Sequence, residues 1–414
     1  MNPLNHKIIK SFKKVQVISK YFIPVTAGIE VNILNTYTFL VKSGWQVTVH
    51  SCRDSLTEKN VFQPEEMIEG IKVRRYPWRK FTYWPKIDWQ MPQVVALHNF
   101  DVFPHGLILL KSLMLKILGQ KKFVLILTPH GGYSLDRVWH LFPKWQRVIK
   151  KTYHNVLAPC LINHTVDGIR AVSEWEKQEM IKSGIKPELI RVIANGIEDE
   201  AYMDVESLAS KEIKDQVGQW GKYLIQVGRV YPIKNYETVI RALPRMPKEI
   251  KFVIVGPVEI NQHPEYVQSL KQLIKDLDLT DRVVFSGVIR GVDKYYAIKK
   301  SLMMVHMAEW ESFCNVVHEG MSQGKVCIVA NNTALPLLIK DGINGYCIET
   351  RDDQVLAEKI NFVLENKNSQ LIKQMCETNR HQGLQESWKN VAEKMDHFYK
   401  SLISNPPKDG QVSN

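Results

Sequence analysis

No C-x-x-C pair occurs in this 414-residue sequence, and its six cysteines (Cys52, Cys160, Cys314, Cys327, Cys347 and Cys376) lie far apart, mostly in apolar runs such as VCIVA and GYCIE. That spacing excludes a disulfide framework and is expected of reduced, buried thiols in a cytosolic protein. Long apolar runs are also lacking. The longest tract, GLILLKSLMLKILG at 106–119, is cut by Lys111 and Lys116 and is shorter than the ~18 continuous residues of a spanning helix. After the amino-terminal lysines the one apolar run, VQVIS, is too short for a signal-peptide core, so export is not indicated. The thirteen histidines contain no H-x-x-x-H spacing, and no G-x-G-x-x-G follows a strand-like run, which argues against a helical zinc site and a dinucleotide dehydrogenase. Low complexity is confined to the last ten residues, and no internal repeat is evident.

What is present is ordinary in bulk and uneven in charge. Hydrophobic residues make up 44% and charged residues 24%, as in a soluble globular protein, and 414 residues exceed one core, so two domains are expected. Residues 1–200 hold 28 Lys/Arg against 17 Asp/Glu, which puts +11 of the formal +12 charge in the first half. An excess so placed fits an anionic partner such as nucleic acid, a phosphorylated substrate or an acidic membrane, with a merely soluble basic surface as the alternative.

Periodicity divides the chain into two alternating halves. VQVIS (15–19), a helical pattern from Ile29 to Lys42 stopped by Gly44, and QVTVH (46–50) make a βαβ unit. QVVALH (93–98), KFVLILT (122–128), GIRAVS (168–173) and IRVIAN (190–195) continue a parallel, doubly wound sheet. After the acidic, irregular stretch 198–207 the alternation restarts with YLIQVG (223–228), KFVIVG (251–256), RVVFSG (282–287), LMMVHM (302–307), VCIVA (326–330) and GYCIE (345–349). The expected fold class is α/β, two Rossmann-like doubly wound parallel-sheet domains facing a cleft, with an amphipathic terminal helix at 386–402.

Two stretches carry chemistry. VGRVYPIKN (227–235) brings Arg229 and Lys234 to one strand-to-helix loop, where a fork and a mobile point charge can hold a diphosphate; alone, such residues are usually solvated surface. EWESFCNVVHEG (309–320) reads as a helix from about residue 314 to 322, whose amino end favours phosphate by ~0.3–1 kcal/mol through free amides and dipole. Glu319, four residues after Asn315, lies one turn deeper, where a carboxylate repels phosphate but accepts paired hydrogen bonds from vicinal hydroxyls. Glu311, before the helix, suits hydroxyls on the other side of that phosphate. The bland reading makes Glu311 a cap-region acid and Glu319 a satisfied core residue.

These residues, in this order, resemble glycosyltransferase family 4, retaining group 1 enzymes of the GT-B fold. PVTAGIE (24–30) resembles the family's glycine loop, TPHGG (128–132) its histidine loop, and VSEWEK (172–177) and IANGIE (193–198) its late N-domain signatures. GRVYPIKN resembles the phosphate loop, ESFCNVVHE the paired-Glu motif, and SWKNVAEKMDHFY the closing helix. The resemblance implies an acceptor domain over 1–200, a nucleotide-sugar domain over 201–385, a crossing helix over 386–403 that returns to the first domain, and a disordered tail over 404–414. It assigns Arg229 and Lys234 to the donor diphosphate, Glu319 to the ribose, and Glu311 and His130 to the reacting sugar. Phe313, Cys314 and Asn315 supply backbone amides, Val288 and Arg290 flank the base, and Gly28 admits the phosphate closely. Departures fall at Ala27, Asn235 and Cys314, where the family commonly has glycine, and at Thr333, Ala334 and Leu337, where a glycine pair and a Glu are absent.

The implied reaction moves a sugar from a nucleoside-diphosphate sugar to a hydroxyl of a glycan or lipid-linked acceptor, with retention, in envelope or exopolysaccharide synthesis. The alternative is a catalytically inactive nucleotide-sugar-binding protein. No cofactor or metal is expected: Glu198, Asp199 and Glu200 have the spacing of an acidic metal motif but lie between the halves with no strand ending in them. The segment VWHLFPKWQRVIKK (138–151) interleaves Trp139, Phe142, Trp145 and Ile149 with Lys144, Arg147, Lys150 and Lys151, as an interfacial helix would. It points to a cytoplasmic protein peripheral on the inner face of an anionic membrane, or else to a core helix with a solvated basic face. Nucleic acid is not expected as a partner, because the basic segments form no recognised binding module.

Overall fold

Short β-branched runs form two sheets, each with its own core. The computed structural model describes residues 13–404 apart from 26, 57, 80–81, 90–92, 100–102, 132–142 and 259–262. In the first half, β1 (Lys13–Ile18), β2 (Trp45–Cys52), β3 (Glu65–Ile68), β4 (Ile71–Tyr76), β5 (Val94–His98), β6 (Val124–Thr128), β7 (Gly168–Ala171) and β8 (Ile190–Val192) make one sheet in the order β3-β4-β2-β1-β5-β6-β7-β8. In the second, β9 (Lys222–Val227), β10 (Ile250–Val255), β11 (Val283–Gly287), β12 (Met303–His306), β13 (Cys327–Ala330) and β14 (Gly345–Ile348) run parallel in the order β11-β10-β9-β12-β13-β14. Strand order reverses between β1 and β5 and between β9 and β12. Loops leaving the carboxyl ends of strands diverge at such points and leave a crevice for a ligand.

Three expectations need correction. The first sheet is not wholly parallel: β3 pairs antiparallel with β4 at its edge, through a tight turn at Glu69 (φ +48°) and Gly70 (φ +77°). The runs EEMI and IKVRRY are too charged to read as strands, because an edge hairpin is buried on one side at most. The acidic stretch after residue 198 is also less irregular than expected, holding a short 3-10 turn at Asp199–Tyr202 and a helical turn at Val205–Leu208. All six cysteines are free thiols, and Cys160 is exposed on the helix Ala158–Thr165, contrary to the expectation of burial.

The terminal helix, Trp388–Ser404, returns to the first sheet. Its Trp388, Val391, Ala392, Met395, Phe398 and Tyr399 enter the core formed with Val15, Val17, Ile33, Tyr37 and Trp45. Burial of such side chains stabilises the docking by roughly 1.5–3 kcal/mol each before entropic losses. Trp45 Nε1 donates to Asp396 Oδ1 at 2.7 Å and fixes the helix rotation. The outgoing chain lies against the returning one: Ile197 bridges Ser387, and Ile197 N donates to Glu386 O at 2.8 Å. Gly196 permits this approach, since a Cβ there would fall 2.5 Å from the Trp388 nitrogen. Of the expected tail, residues 405–414 lie outside the described residues.

Candidate active site between the two sheets

The loop after β9 and the loop after β12 face one another. Beyond the turn Pro232–Lys234 the backbone enters the left-handed region at Asn235 (φ +50°), which asparagine tolerates better than most residues. Asn235 is buried; its Nδ2 donates to Met307 O at 2.9 Å and its Oδ1 accepts from Thr238 Oγ1 at 2.7 Å. The amide therefore does more than a glycine would, locking the lysine loop to the end of β12. Lys234 Nζ then lies 2.5 Å from Glu311 Oε1, and His306 Nε2, at the last residue of β12, lies 2.9 Å from the same oxygen.

Glu311 is anchored through its backbone as well, because its N–H donates to Thr333 Oγ1 at 3.1 Å and its carbonyl accepts from Ala334 N at 3.2 Å. Thr333 and Ala334 thus have a structural use at positions where a glycine pair was expected. Burial opposes ionisation of Glu311, yet Lys234 and His306 hold its carboxyl down to about 2. It is a fixed anion at the mouth of the helix Asn315–Ser322. Cys314 caps that helix at φ +80°, a left-handed conformation that accounts for glycine being common there. The first-turn N–H groups have no partners within the helix, so they are available to an anion.

Glu319 sits deeper on the same helix. Lys294 Nζ lies 3.0 Å from Glu319 Oε1 and 2.7 Å from Glu198 Oε2, so two acids share one buried cation. Burial pushes Glu319 up to about 7, with Lys294 opposing and Glu198 adding to the shift. Its Oε2 is buried without a hydrogen-bond partner among the described residues. Half of this carboxyl is therefore a satisfied core group, and the other half is an acceptor without a partner among the described residues.

The first sheet supplies the opposite wall. His130 follows β6 at φ +53°, and its Nε2 lies 2.9 Å from His98 Nδ1 at the end of β5. Burial, with Arg170 adding, brings His130 down to about 3, so its imidazole is neutral. Gly131 N and Val172 N both donate to the Glu176 carboxylate, which ties the VSEWEK segment to the histidine loop. Gly131 (φ +82°) also has no room for a side chain, since a Cβ would collide with the Trp310 ring and approach Ser312 Cβ to 2.7 Å. Across the cleft, Ser173 Oγ donates to Ser312 O at 2.6 Å and Asn195 Nδ2 donates to Asn315 Oδ1 at 2.9 Å.

Of the residues expected from sequence, Lys234 and Glu311 touch, and Phe313, Cys314, Asn315 and Glu319 share the adjoining helix or its start. Gly28 opens the helix Gly28–Lys42, and among the described residues only Asn315 Nδ2 (4.0 Å) lies near its missing side chain. Arg229 forms no ion pair among the described residues; its guanidinium lies 5.8 Å from the Tyr231 ring centre and near enough to Glu30 to oppose that carboxyl's burial-driven rise. Val288 is exposed, and Arg290 caps the helix Gly291–Lys300; neither is bonded to Glu311 or Glu319. Sequence reasoning missed His306, Lys294, Glu198 and His98. A polar residue ending an otherwise apolar strand was the available signal for the two histidines.

His306, Glu311 and Cys314 offer three ligand atoms within 4.8 Å of one another, as a metal site would. Lys234 already supplies a cation to Glu311, and burial drives the Cys314 thiol well above its ordinary value, so this set is poorly matched to a metal.

Two family profiles cover most of the chain: that of "Glycosyltransferase Family 4" matches residues 26–201, and that of "Glycosyl transferases group 1" matches 210–382. The chain belongs to the group 1 glycosyltransferases. Among similar proteins, N-acetyl-alpha-D-glucosaminyl L-malate synthase of Bacillus anthracis is 27% identical over 324 residues, covering 74% of this chain and 76% of that protein. Alpha-monoglucosyldiacylglycerol synthase of Streptococcus pneumoniae is 25% identical over 346 residues, covering 80% and 74%. The fold of this glycosyltransferase is that of Anabaena HepE, solved with UDP and glucose (TM-score 0.71, 18% identity, 94% of this chain and 100% of that one). It is also that of sucrose-phosphate synthase from Thermosynechococcus elongatus (TM-score 0.75, 16% identity, 95% and 99%). These are GT-B glycosyltransferases, with two parallel-sheet α/β domains.

Proposed function

We propose that this glycosyltransferase transfers a hexose from a nucleoside-diphosphate sugar, with retention, to a hydroxyl of a glycan or lipid-linked acceptor in cell-envelope or exopolysaccharide synthesis. The observation that carries the reading is the anchored, ionised Glu311 beside Lys234 at the amino end of the Asn315–Ser322 helix. Lys234, Arg229 and the amides of Phe313, Cys314 and Asn315 stabilise the departing diphosphate, Glu311 orients the sugar hydroxyls, and Glu319 takes the ribose through its unpartnered oxygen. His130 faces the sugar from the opposite domain, Gly28 leaves the phosphate room, and Val288 and Arg290 flank the base. Glu311 is bound by two neighbours and is thereby suited to positioning rather than nucleophilic attack. In this scheme the leaving phosphate oxygen takes the acceptor proton, and Arg and Lys serve in place of a metal.

Transfer assays over UDP-, GDP- and ADP-sugars, with NMR of the product's anomeric centre, test the reading. Glu311→Gln is expected to lower turnover on the order of 10²–10³. Near wild-type turnover in a folded variant would remove Glu311 from the mechanism, and nucleotide-sugar binding without turnover would favour an inactive binder.

A lipid-linked acceptor and a peripheral cytoplasmic location are part of the proposal. The helix Lys144–Thr152 exposes Trp145 (62%), Val148 (66%) and Ile149 (61%) beside Arg147, Lys150 and Lys151, while Trp139 and Phe142 lie outside the described residues. No helix among the described residues is long and apolar enough to cross a membrane. One relative is by its name an alpha-monoglucosyldiacylglycerol synthase, a name that gives a glycolipid as product. Flotation with anionic liposomes at low and high salt tests the docking; Trp145→Ser should weaken it severalfold, and flotation that is equal with neutral lipid would overturn it.

A further inference from the structure

Four side chains connect the cleft to the crossing helix. His130 Nε2 meets His98 Nδ1 at 2.9 Å, His98 Nε2 meets the Tyr37 hydroxyl at 3.0 Å, and that hydroxyl meets the Tyr399 hydroxyl at 2.7 Å. His98, Tyr37 and Tyr399 are buried, at 1%, 0% and 0% exposure. Among the described residues Tyr399 has Tyr37 as its one hydroxyl partner, and His130 Nδ1 makes no hydrogen bond. The two imidazoles are neutral, since burial lowers both and Arg170 adds to the effect.

A neutral imidazole has one donor and one acceptor, so the chain of hydrogen bonds runs in a single direction. If it ran from His130 outward, His130 Nε2–H would donate to His98, His98 Nε2–H to Tyr37, and Tyr37 O–H to Tyr399. The Tyr399 O–H would then be a buried donor with no acceptor, which is the expensive kind of orphan. In the opposite direction every proton inside the series is used: Tyr399 donates to Tyr37, Tyr37 to His98 Nε2, and His98 Nδ1–H to His130 Nε2. The one proton left over, on His130 Nδ1, is not sealed in the core as the Tyr399 hydroxyl is, and on Tyr399 only an acceptor lone pair goes unused.

We infer that Tyr399, Tyr37 and His98 are positioning residues that fix His130 as the Nδ1–H tautomer, so that it presents a hydrogen-bond donor, and not a base, to an oxygen of the transferred sugar. The inference rests on the placement of His130 in the sugar subsite. It also makes the crossing helix part of that subsite, because the first donor in the series is on it. His130 itself, at φ +53°, relies on His98 for its orientation.

The test is the tautomer. In the full-length protein labelled with ¹⁵N-histidine, long-range ¹H–¹⁵N spectra, assigned with His130→Gln, should show His130 protonated at Nδ1. Tyr37→Phe deletes the proton that holds His98 and keeps the ring, and should convert that single pattern into a mixture; turnover should fall on the order of tenfold with the donor KM little changed. A wild-type His130 protonated at Nε2, or a pattern that Tyr37→Phe leaves intact, would overturn the inference. Should the Nδ1–H pattern be present while His130→Gln retains full turnover, the relay stands and the subsite reading falls.

Discussion

Replacing Lys294 by methionine keeps the side chain's reach and removes the one cation shared by Glu198 and Glu319 at 2.7 and 3.0 Å. Both acids are then left facing each other beside the Asn315–Ser322 helix without compensation. Breaking a buried pair in this way costs about 3–5 kcal/mol. For a domain of roughly 150–250 residues, at ~2–4 °C per kcal/mol, the melting temperature should fall by ~6–20 °C. The deficit has a defined pH dependence. Glu319 is already raised from 4.5 to about 7 by burial with Lys294 present, and loss of the lysine lifts it further. A carboxyl whose folded pKa is raised loses stability from the unfolded value upward, equally in wild type and variant until the wild-type carboxyl ionises near 7, so this part of the deficit is absent near pH 5 and opens as pH climbs past about 7. Urea melts of wild type and Lys294→Met near pH 5 and pH 8 measure it, and adding Glu319→Gln to the variant should restore part of the stability near pH 8. A deficit under ~1 kcal/mol near pH 8, or one larger near pH 5, would refute this reasoning.

Other expectations follow from the same geometry. His50 is buried between Gln16 and Tyr76, and burial lowers it from 6.5 to about 4, so stability present above pH 6.5 should be lost as pH falls toward 4. His50→Gln should make the slope of unfolding free energy against pH shallower by one proton, ~1.4 kcal/mol per pH unit, over that window. Glu311 is held down to about 2, so a pH–rate profile should show no acid limb from it between about pH 5 and 8; such a limb, removed in Glu311→Gln, would contradict the assignment. Gly131→Ala forces a side chain into Trp310 and Ser312 at φ +82°, and should lower kcat/KM at least on the order of tenfold while the melting temperature moves by only a few degrees. Ser173→Ala removes the 2.6 Å bond to Ser312 O and should raise the donor KM severalfold, as read from initial rates.

The strands of both sheets could be read because parallel strands buried on both faces are continuous apolar runs, and VQVIS, KFVIVG and VCIVA differ little from the observed β1, β10 and β13. The hairpin at Glu65–Tyr76 could not, since its residues answer to solvent on one side. The pairing of Lys234 with Glu311 follows from two loops that leave adjacent parts of one sheet, a proximity that topology supplies and local spacing does not. Lys294 was illegible for a similar reason: its position on an amphipathic helix looks solvated until Glu198, nearly a hundred residues away, is seen to close over it. Asn235 and Cys314 read as departures from glycine, whereas the backbone there is left-handed, so the conformation survives the substitution and only the residue that adopts it differs.

The paired crossings at Ile197 and Ser387 have a mechanical consequence. Two separate tethers would let one lobe slide or shear against the other, but two segments joined by a bridge and a backbone bond make a single joint. Any rotation of one lobe against the other would have to turn about that joint. A methyl group at Gly196 would push the two segments of that joint apart.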